Sequence, residues 1–400
     1  MLSNDMFSSL SKKSLFKAVI NKNQPIYVQF YVTARCNLTC EQCNIIYANA
    51  DVEECTIDEV RKIADQFASM GVAIVLLAGG EPFARKDLPE IIHAFETRKV
   101  HVRMQTNGLA TEEMISAVIE AGGKDISISL DSLYSASQDR INGEFNNSWH
   151  QALKSIALFT KYLPKKDSFA SLGCVLQPHN LGDIEDVIRF GTEISWFTSL
   201  VPVHVTNQSH PRGFQTFDHN LRFKENEYDA LDEVIEKVRA MKSEGYLLYD
   251  SDQYLDDIKR FIRGVPTTWR SRNMDICDSP NLYFALLPNG EFAPCCDWRI
   301  DSSYPAYSDD FSKIYRQKEF RKEVEKVTKI CDGCMYGSYP EMTISMRYLA
   351  AKLQRINNFF AKPPQKNWPL EYEDLLDIAD KIKREDRYRP KSRKPENGVI

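Results

Sequence analysis

Three cysteines, Cys36, Cys40 and Cys43, stand as C-x3-C-x2-C in the segment YVTARCNLTCEQCNIIYA. Three thiolates on one short loop can hold three irons of a four-iron cluster. The fourth iron then has no neighbouring protein ligand, and an open coordination position marks a catalytic rather than a structural metal site. Structural zinc is the competing reading, but it wants four ligands, usually in paired C-x2-C units. No His follows Cys43 until His93, and Cys55 lies across a loop. A second set punctuates the later chain: Cys277, then Gly290 and Cys295 as C-x12-G-x4-C, and after 35 more residues Cys331-Asp-Gly-Cys334. Ten cysteines clustered in this way point to metal rather than to disulfides. Four thiols ending in C-x2-C also satisfy a zinc knuckle.

Other residues could complete a site beside the first cysteines. Gly79-Gly80-Glu81-Pro82 ends an apolar strand, where glycines permit close backbone approach and proline fixes the turn. Asn107 follows the next strand in Gln105-Thr106-Asn107-Gly108. A fourth strand carries Ser127, Ser129 and Asp131, short polar groups that need partners if buried. Gln177 and Asn180 follow a fifth strand as candidates for the site's edge; for His179 beside them a solvated loop is expected. The stretch Val201 to Arg212, with Trp196 and His204, is a candidate pocket lining, with a core role for His204 as the alternative.

The elements that must position these residues alternate regularly. IYVQFYV (26–32) reads as a strand, and TIDEVRKIADQFASMG (56–71) as a helix with Thr56 as N-cap, Glu59 completing a capping box and Gly71 as stop. VAIVLLA (72–78) is apolar at every position, as a strand buried on both faces should be. Strand and helix then repeat to SLVPVHV (199–205), about six times, which implies a parallel sheet, open or a partial barrel. In a parallel sheet the cysteine loop after the first strand lies at the carboxyl ends of the strands, where active sites gather. The division expected is an N-terminal extension (1–25), the strand–helix core (26–205), linker helices (206–275), a small cysteine-containing α+β unit (276–340), and an amphipathic helix at 341–361 followed by a charged tail to 400 whose last dozen residues read as disordered.

Composition sets outer limits. Hydrophobic residues at 43% and charged residues at 27% are ordinary for a globular protein. A net charge of −5 argues against general nucleic-acid binding, which needs a basic surface. No apolar run approaches the roughly 20 residues of a membrane span, and the first residues lack a signal-peptide pattern, so a cytoplasmic location is expected. The apolar line Met346, Leu349, Leu353, Ile356, Phe360, edged by Arg347, Lys352, Arg355 and Lys362, could touch a membrane surface or pack on its own domain.

C-x3-C-x2-C after a first strand, followed by GGEP, resembles the radical S-adenosylmethionine (SAM) superfamily over about residues 26–205. The resemblance implies a partial (β/α)6 parallel barrel in which Cys36, Cys40 and Cys43 hold a [4Fe–4S] cluster that binds SAM. It implies SAM contacts from Gly79, Gly80, Glu81 and Pro82, from Asn107, and from Ser129 and Asp131. Arg140 stands near the place of a carboxylate-binding arginine, with Asn142 where that arginine is expected. Gln42 replaces the aromatic residue common before the third cysteine. The family chemistry is reductive cleavage of SAM to a 5′-deoxyadenosyl radical, with a flavodoxin- or ferredoxin-like electron donor. The later cysteines resemble SPASM and Twitch extensions, which implies one auxiliary [4Fe–4S] cluster on Cys277, Cys295, Cys331 and Cys334, with Cys296 as the alternative to Cys295. Substrates implied by the resemblance are small molecules or peptides. A peptide maturase, a lipid-modifying enzyme at a membrane and a non-enzymatic iron–sulfur carrier are the alternatives; the open three-cysteine site beside GGEP speaks against the carrier.

Overall fold

The computed structural model describes residues 9–20, 24–44, 53–209, 211–271, 277–360 and 366–395. A helix α1 (Ser9–Ile20) precedes eight strands: β1 (Tyr27–Thr33), β2 (Ile74–Gly79), β3 (His101–Thr106), β4 (Asp125–Ser129), β5 (Phe169–Leu176), β6 (Phe197–Pro202), β7 (Tyr283–Leu286) and β8 (Phe292–Ala293). They form one sheet in the order β6-β5-β4-β3-β2-β1-β7-β8. All pairings from β6 to β7 are parallel and β8 alone is antiparallel. The two ends do not pair, so the sheet is an open partial barrel.

Crossover helices cover its outer face: α2 (Ile57–Met70), α3 (Leu88–Thr97), α4 (Glu112–Glu120), α5 (Ser135–Ile141), α6 (Ser148–Tyr162) and α7 (Ile184–Glu193). Helix α2 begins and ends as its sequence dictates: Thr56 and Glu59 exchange both capping-box bonds, and Gly71 closes the helix at φ +79°. The sheet's two faces differ in chemistry. Val28, Phe30, Val75, Leu77, Val102, Ile126, Ile128 and Leu172 are fully buried under the helices. The alternate positions, among them Gln29, Gln105, Ser127 and Ser199, face a cavity inside the barrel. DISISLD is therefore not a strand with stray serines; its period of two puts every polar group on the concave side.

Beyond β6 come α8 (Tyr228–Ser243), α9 (Asp252–Ile262), the short α10 (Thr268–Ser271) and α11 (Phe311–Ile314), then α12 (Lys318–Lys329), α13 (Ser338–Arg347), α14 (Leu349–Phe360) and α15 (Tyr372–Arg384). Strand β7, within the later cysteine-containing segment, extends the barrel sheet by pairing Tyr27 to Tyr283 through Phe30 to Leu286. The expected single helix at 341–361 is two helices, broken where Tyr348 turns extended at ψ 122°. Its apolar line splits accordingly: Met346 lines the cavity, whereas Leu349 and Leu353 are exposed.

The C-terminal stretch is more ordered than its composition suggests. Helix α15 buries Leu375, Ala379 and Ile382, and residues to 395 follow the barrel surface. Arg387 and Arg389 pair with the fully buried carboxylate of Asp186, Ser392 accepts the Gly182 N–H at 2.9 Å, and Arg393 pairs with Glu227. A buried carboxylate needs such partners, which is why this basic tail is held; residues 396–400 lie outside the described residues.

Candidate active site

Strand β1 leads into the first cysteines, and several contacts fix that loop. Gly80 N–H donates to Thr33 O at 2.9 Å and Glu81 N–H to Arg35 O at 2.8 Å. A Cβ on Gly80 would lie 2.1 Å from Arg35 O, so the loop's close approach requires glycine there. The buried Arg85 donates to Val32 O at 2.7 Å and to Cys55 O while pairing with Asp87 at 2.7 Å. Glu41, between the cysteines, is gripped by Arg140 Nη1 at 2.7 Å and Gln177 Nε2 at 2.8 Å, with His179 at 3.6 Å.

The three thiols are brought together. Burial, then the nearness of Cys43 and Cys36, pushes the Cys40 thiol well above its ordinary value. Cys36 Sγ accepts from Leu38 N–H at 3.5 Å and faces Asn107 Nδ2 at 3.9 Å. Thiols in such a setting ionise when a metal takes the proton's place. Among the described residues no three His, Cys, Asp or Glu side chains converge on the position of a single metal ion.

Cys36, Cys40 and Cys43 open onto a cavity of about 380 Å³ that runs down the inside of the barrel. Gly79, Gly80, Glu81, Pro82, Asn107, Ser129 and Asp131 line it with them. The Glu81 carboxylate accepts from Phe83 N–H (2.9 Å), Thr106 Oγ1 (2.8 Å) and Asn107 N–H (2.7 Å), so it also braces the ends of β2 and β3. Burial pushes Glu81 up to about 7. Asp131 accepts from Val175 N–H at 2.6 Å and Gln42 Nε2 at 3.2 Å, and burial again raises it to about 7. Gln42 thus meets Asp131 on the cavity wall.

Arg140 and Gln177, expected at a ligand, are instead turned to Glu41 and do not line the cavity. The opposite charge and amide donor that Glu41 finds there explain the choice. Asn180 is likewise structural: its Nδ2 donates to Asp131 O and Val175 O. His179, expected on a solvated loop, is buried against the Arg140–Glu41 pair. Trp196 is a core residue beside Trp368 and does not reach the cavity. His204 does line it, but Nδ1–H donates to Pro202 O at 2.9 Å and Nε2 accepts Met335 N–H at 3.0 Å. That fixes a neutral tautomer, and burial lowers its pKa to about 3.

A second, smaller pocket gathers Cys277, Cys295, Cys331 and Cys334. Gly290, at φ +79° in the turn between β7 and β8, is a position only glycine takes without strain. Burial, then the neighbouring Cys331 and Cys295, pushes the Cys334 thiol well up. Cys277 Sγ lies 2.9 Å from Tyr283 Oη, and burial raises it to about 12. Cys295 faces this pocket, while the buried Cys296 lies on the wall of the main cavity.

Sequence reading missed Arg103, Asp125, Tyr249 and Arg355, all on the cavity wall. An arginine in the middle of VHVRMQT, in phase with Gln105, was the available signal for an inward polar position.

Fold and site together define a parallel partial-barrel protein with a three-thiol loop at the mouth of an internal cavity. Residues 30–191, about two fifths of the chain, match the model of the Radical SAM superfamily. It is 30% identical to the PqqA peptide cyclase of Bradyrhizobium diazoefficiens over 172 residues, 42% of this chain and 44% of that protein. It is 29% identical to the AdoMet-dependent heme synthase of Methanosarcina barkeri over 174 residues, 43% and 48% of the two chains. The chain thus spans less than half the length of these relatives. The crystal structure of Streptococcus suis SuiB bound to precursor peptide SuiA superposes with a TM-score of 0.59 at 16% identity, covering 85% of this chain and 77% of that one. That likeness is one of fold.

Proposed function

We propose that the chain is a radical SAM enzyme that cleaves SAM reductively and abstracts hydrogen from a small-molecule or peptide substrate. The observation that carries this is the Cys36–Cys40–Cys43 loop opening, with GGEP, onto a cavity inside the barrel. The residues present fit the cofactors: three neighbouring thiols, and polar groups from the ends of β2, β3 and β4 beside them, with the buried Cys174 and Cys296 further along the same cavity lining. When bound, a [4Fe–4S] cluster and SAM supply one-electron cleavage of a carbon–sulfur bond and a strong hydrogen acceptor.

The chain's own residues orient and enclose. Cys36, Cys40 and Cys43 would hold the cluster; Gly79, Gly80, Pro82, Asn107 and Ser129 would shape the SAM site, with Glu81 and Asp131 as its acidic groups. Arg140 and Gln177 act on that site through Glu41, keeping the cysteine loop in place. Cys277, Cys295, Cys331 and Cys334 would hold one auxiliary [4Fe–4S] cluster. A flavodoxin- or ferredoxin-like protein would supply electrons. The likeness to a peptide cyclase supports a peptide substrate; the narrow barrel interior supports a small or extended one. Peripheral membrane contact is the second reading, favoured by exposed Phe16, Leu349 and Leu353 near basic Lys13, Lys17 and Lys352; sedimentation with anionic vesicles tests it.

The functional test is anaerobic reconstitution with iron and sulfide, then dithionite and SAM. Formation of 5′-deoxyadenosine, abolished by Cys40→Ala, is the result expected. Reconstituted protein that forms none, with a reducing protein donor and candidate peptides added, contradicts the reading.

A further inference from the structure

A glycine in the middle of a strand weakens it and leaves nothing to pack, so its presence needs a reason. Gly173 lies within β5, in register with Ser129 of β4 on one side and Ser199 of β6 on the other. The backbone there does not demand glycine, because Gly173 is not among the positive-φ residues. Its neighbours do not demand it either. A Cβ at Gly173 would meet one atom, Ser127 Oγ at 3.4 Å, which is ordinary contact. Every other glycine among the described residues has a positive φ or an atom within 3.1 Å of such a Cβ.

What the missing side chain leaves is room, and the room belongs to the cavity that Gly173 lines. The surrounding wall is polar but uncharged. Ser127 and Ser129 stand on β4, and Gln105 of β3 is in register with Ser127. Val175 and Val201 border the space towards the strand tops. Gln29 faces the same cavity from β1 and is only 8% exposed. Among the described residues no hydrogen bond engages the side chains of Gln29, Gln105, Ser127 or Ser129. Polar groups withdrawn from bulk water need partners. A few of them, aimed into an enclosed cavity beside a gap that the packing does not require, make the wall of a ligand site.

We propose that Gly173 determines substrate specificity: its bare backbone is a shelf for an uncharged, hydroxyl-bearing part of the substrate, held by Ser127 and Gln105, with the Gln29 amide deeper in the chamber. The proposal rests on reading the cavity as the substrate chamber. A hydroxyl both donates and accepts, and so do the serine hydroxyls and the glutamine amides. A charged group would find no countercharge on these four side chains. Since Gly173 is level with Ser129, which would shape the SAM site, whatever rests on the shelf lies next to that site. Any side chain at position 173 would fill the space and exclude it.

The experiment is calorimetric binding to the reconstituted full chain with SAM and no reductant. The probes are myo-inositol, N-acetylserinamide and, as the hydroxyl-free control, N-acetylalaninamide. Saturable binding of myo-inositol or N-acetylserinamide is expected, weakened roughly tenfold or more by Gly173→Val and weakened also by Ser127→Ala, which removes a hydroxyl without filling the shelf. Gly173→Ala should melt no lower than wild type, since its methyl group meets only an ordinary contact. Preference for myo-inositol identifies a small polyol as the source of the hydroxyl, and preference for N-acetylserinamide a peptide side chain. Binding of neither, N-acetylalaninamide binding as tightly as the better of the two, or unchanged affinity in Gly173→Val overturns the proposal. So does loss of the SAM-induced change in the cluster signal in Gly173→Val, which would give the room to SAM. Formation of 5′-deoxyadenosine by the wild type is scored separately, so failure of the enzyme reading and failure of the shelf are told apart.

Discussion

Asp250 offers a clean test of how deeply the floor of the barrel is buried. Its carboxylate accepts from Ser199 Oγ and from Leu200 N–H, each at 2.7 Å, next to Tyr249. Burial, with Glu341 nearby, raises it from 3.8 to about 7. Because the folded value lies above the unfolded one, its contribution to stability is complete below about pH 4 and disappears as pH rises through about 7. Asn at this position keeps both contacts, its oxygen taking the Leu200 N–H and its amide donating to Ser199, but carries no titrating proton. At about 1.4 kcal/mol per pKa unit, wild type loses on the order of 2 kcal/mol between pH 5.5 and 8.5 that Asp250→Asn does not. Urea unfolding at the two pH values measures this. The variant's relative stability should rise by that amount at the higher pH. Parallel pH dependence in the two proteins would refute the claim that this carboxylate is buried and reluctant to ionise.

Cys295→Ser should remove about four irons per chain after reconstitution, whereas Cys296→Ser should retain them, since only Cys295 faces the four-thiol pocket; iron analysis decides. Gly80→Ala puts a methyl group 2.1 Å from Arg35 O, which should cost about 1–3 kcal/mol and loosen the cysteine loop, read as a lower melting temperature and reduced iron occupancy. His204→Phe leaves the buried Met335 N–H without its acceptor and should destabilise by about 1–3 kcal/mol. With His204 already neutral down to about pH 3, that cost should be the same at pH 5.5 and 8.5.

The strand–helix alternation was legible because period-two and period-3.6 apolar patterns state it directly, and Thr56, Glu59 and Gly71 marked their helix to within a residue. The cysteine loop was legible from spacing alone. What the sequence hid were contacts between distant segments. Glu41 takes Arg140 and Gln177 from 99 and 136 residues away, and no local pattern shows that a charge prefers a protein partner to a ligand. β6 begins two residues before the apolar run suggests, because Phe197 pairs with Ser171. The last dozen residues of the Pro- and charge-rich tail read as disordered, because sequence alone does not show that Asp186 and Glu227 offer carboxylates to Arg389 and Arg393. The C-x12-G-x4-C spacing favours Cys295 over Cys296, and it is Cys295 that lines the smaller pocket with the other three thiols.

The most direct measurement of the central claim is electron paramagnetic resonance of the dithionite-reduced protein carrying Cys277→Ala and Cys331→Ala, so that one cluster signal remains. Adding SAM should shift that signal, because on the proposed reading SAM would complete a coordination sphere that three thiolates would leave open. A signal identical with and without SAM, or one that survives in a further Cys36→Ala variant, would contradict the account.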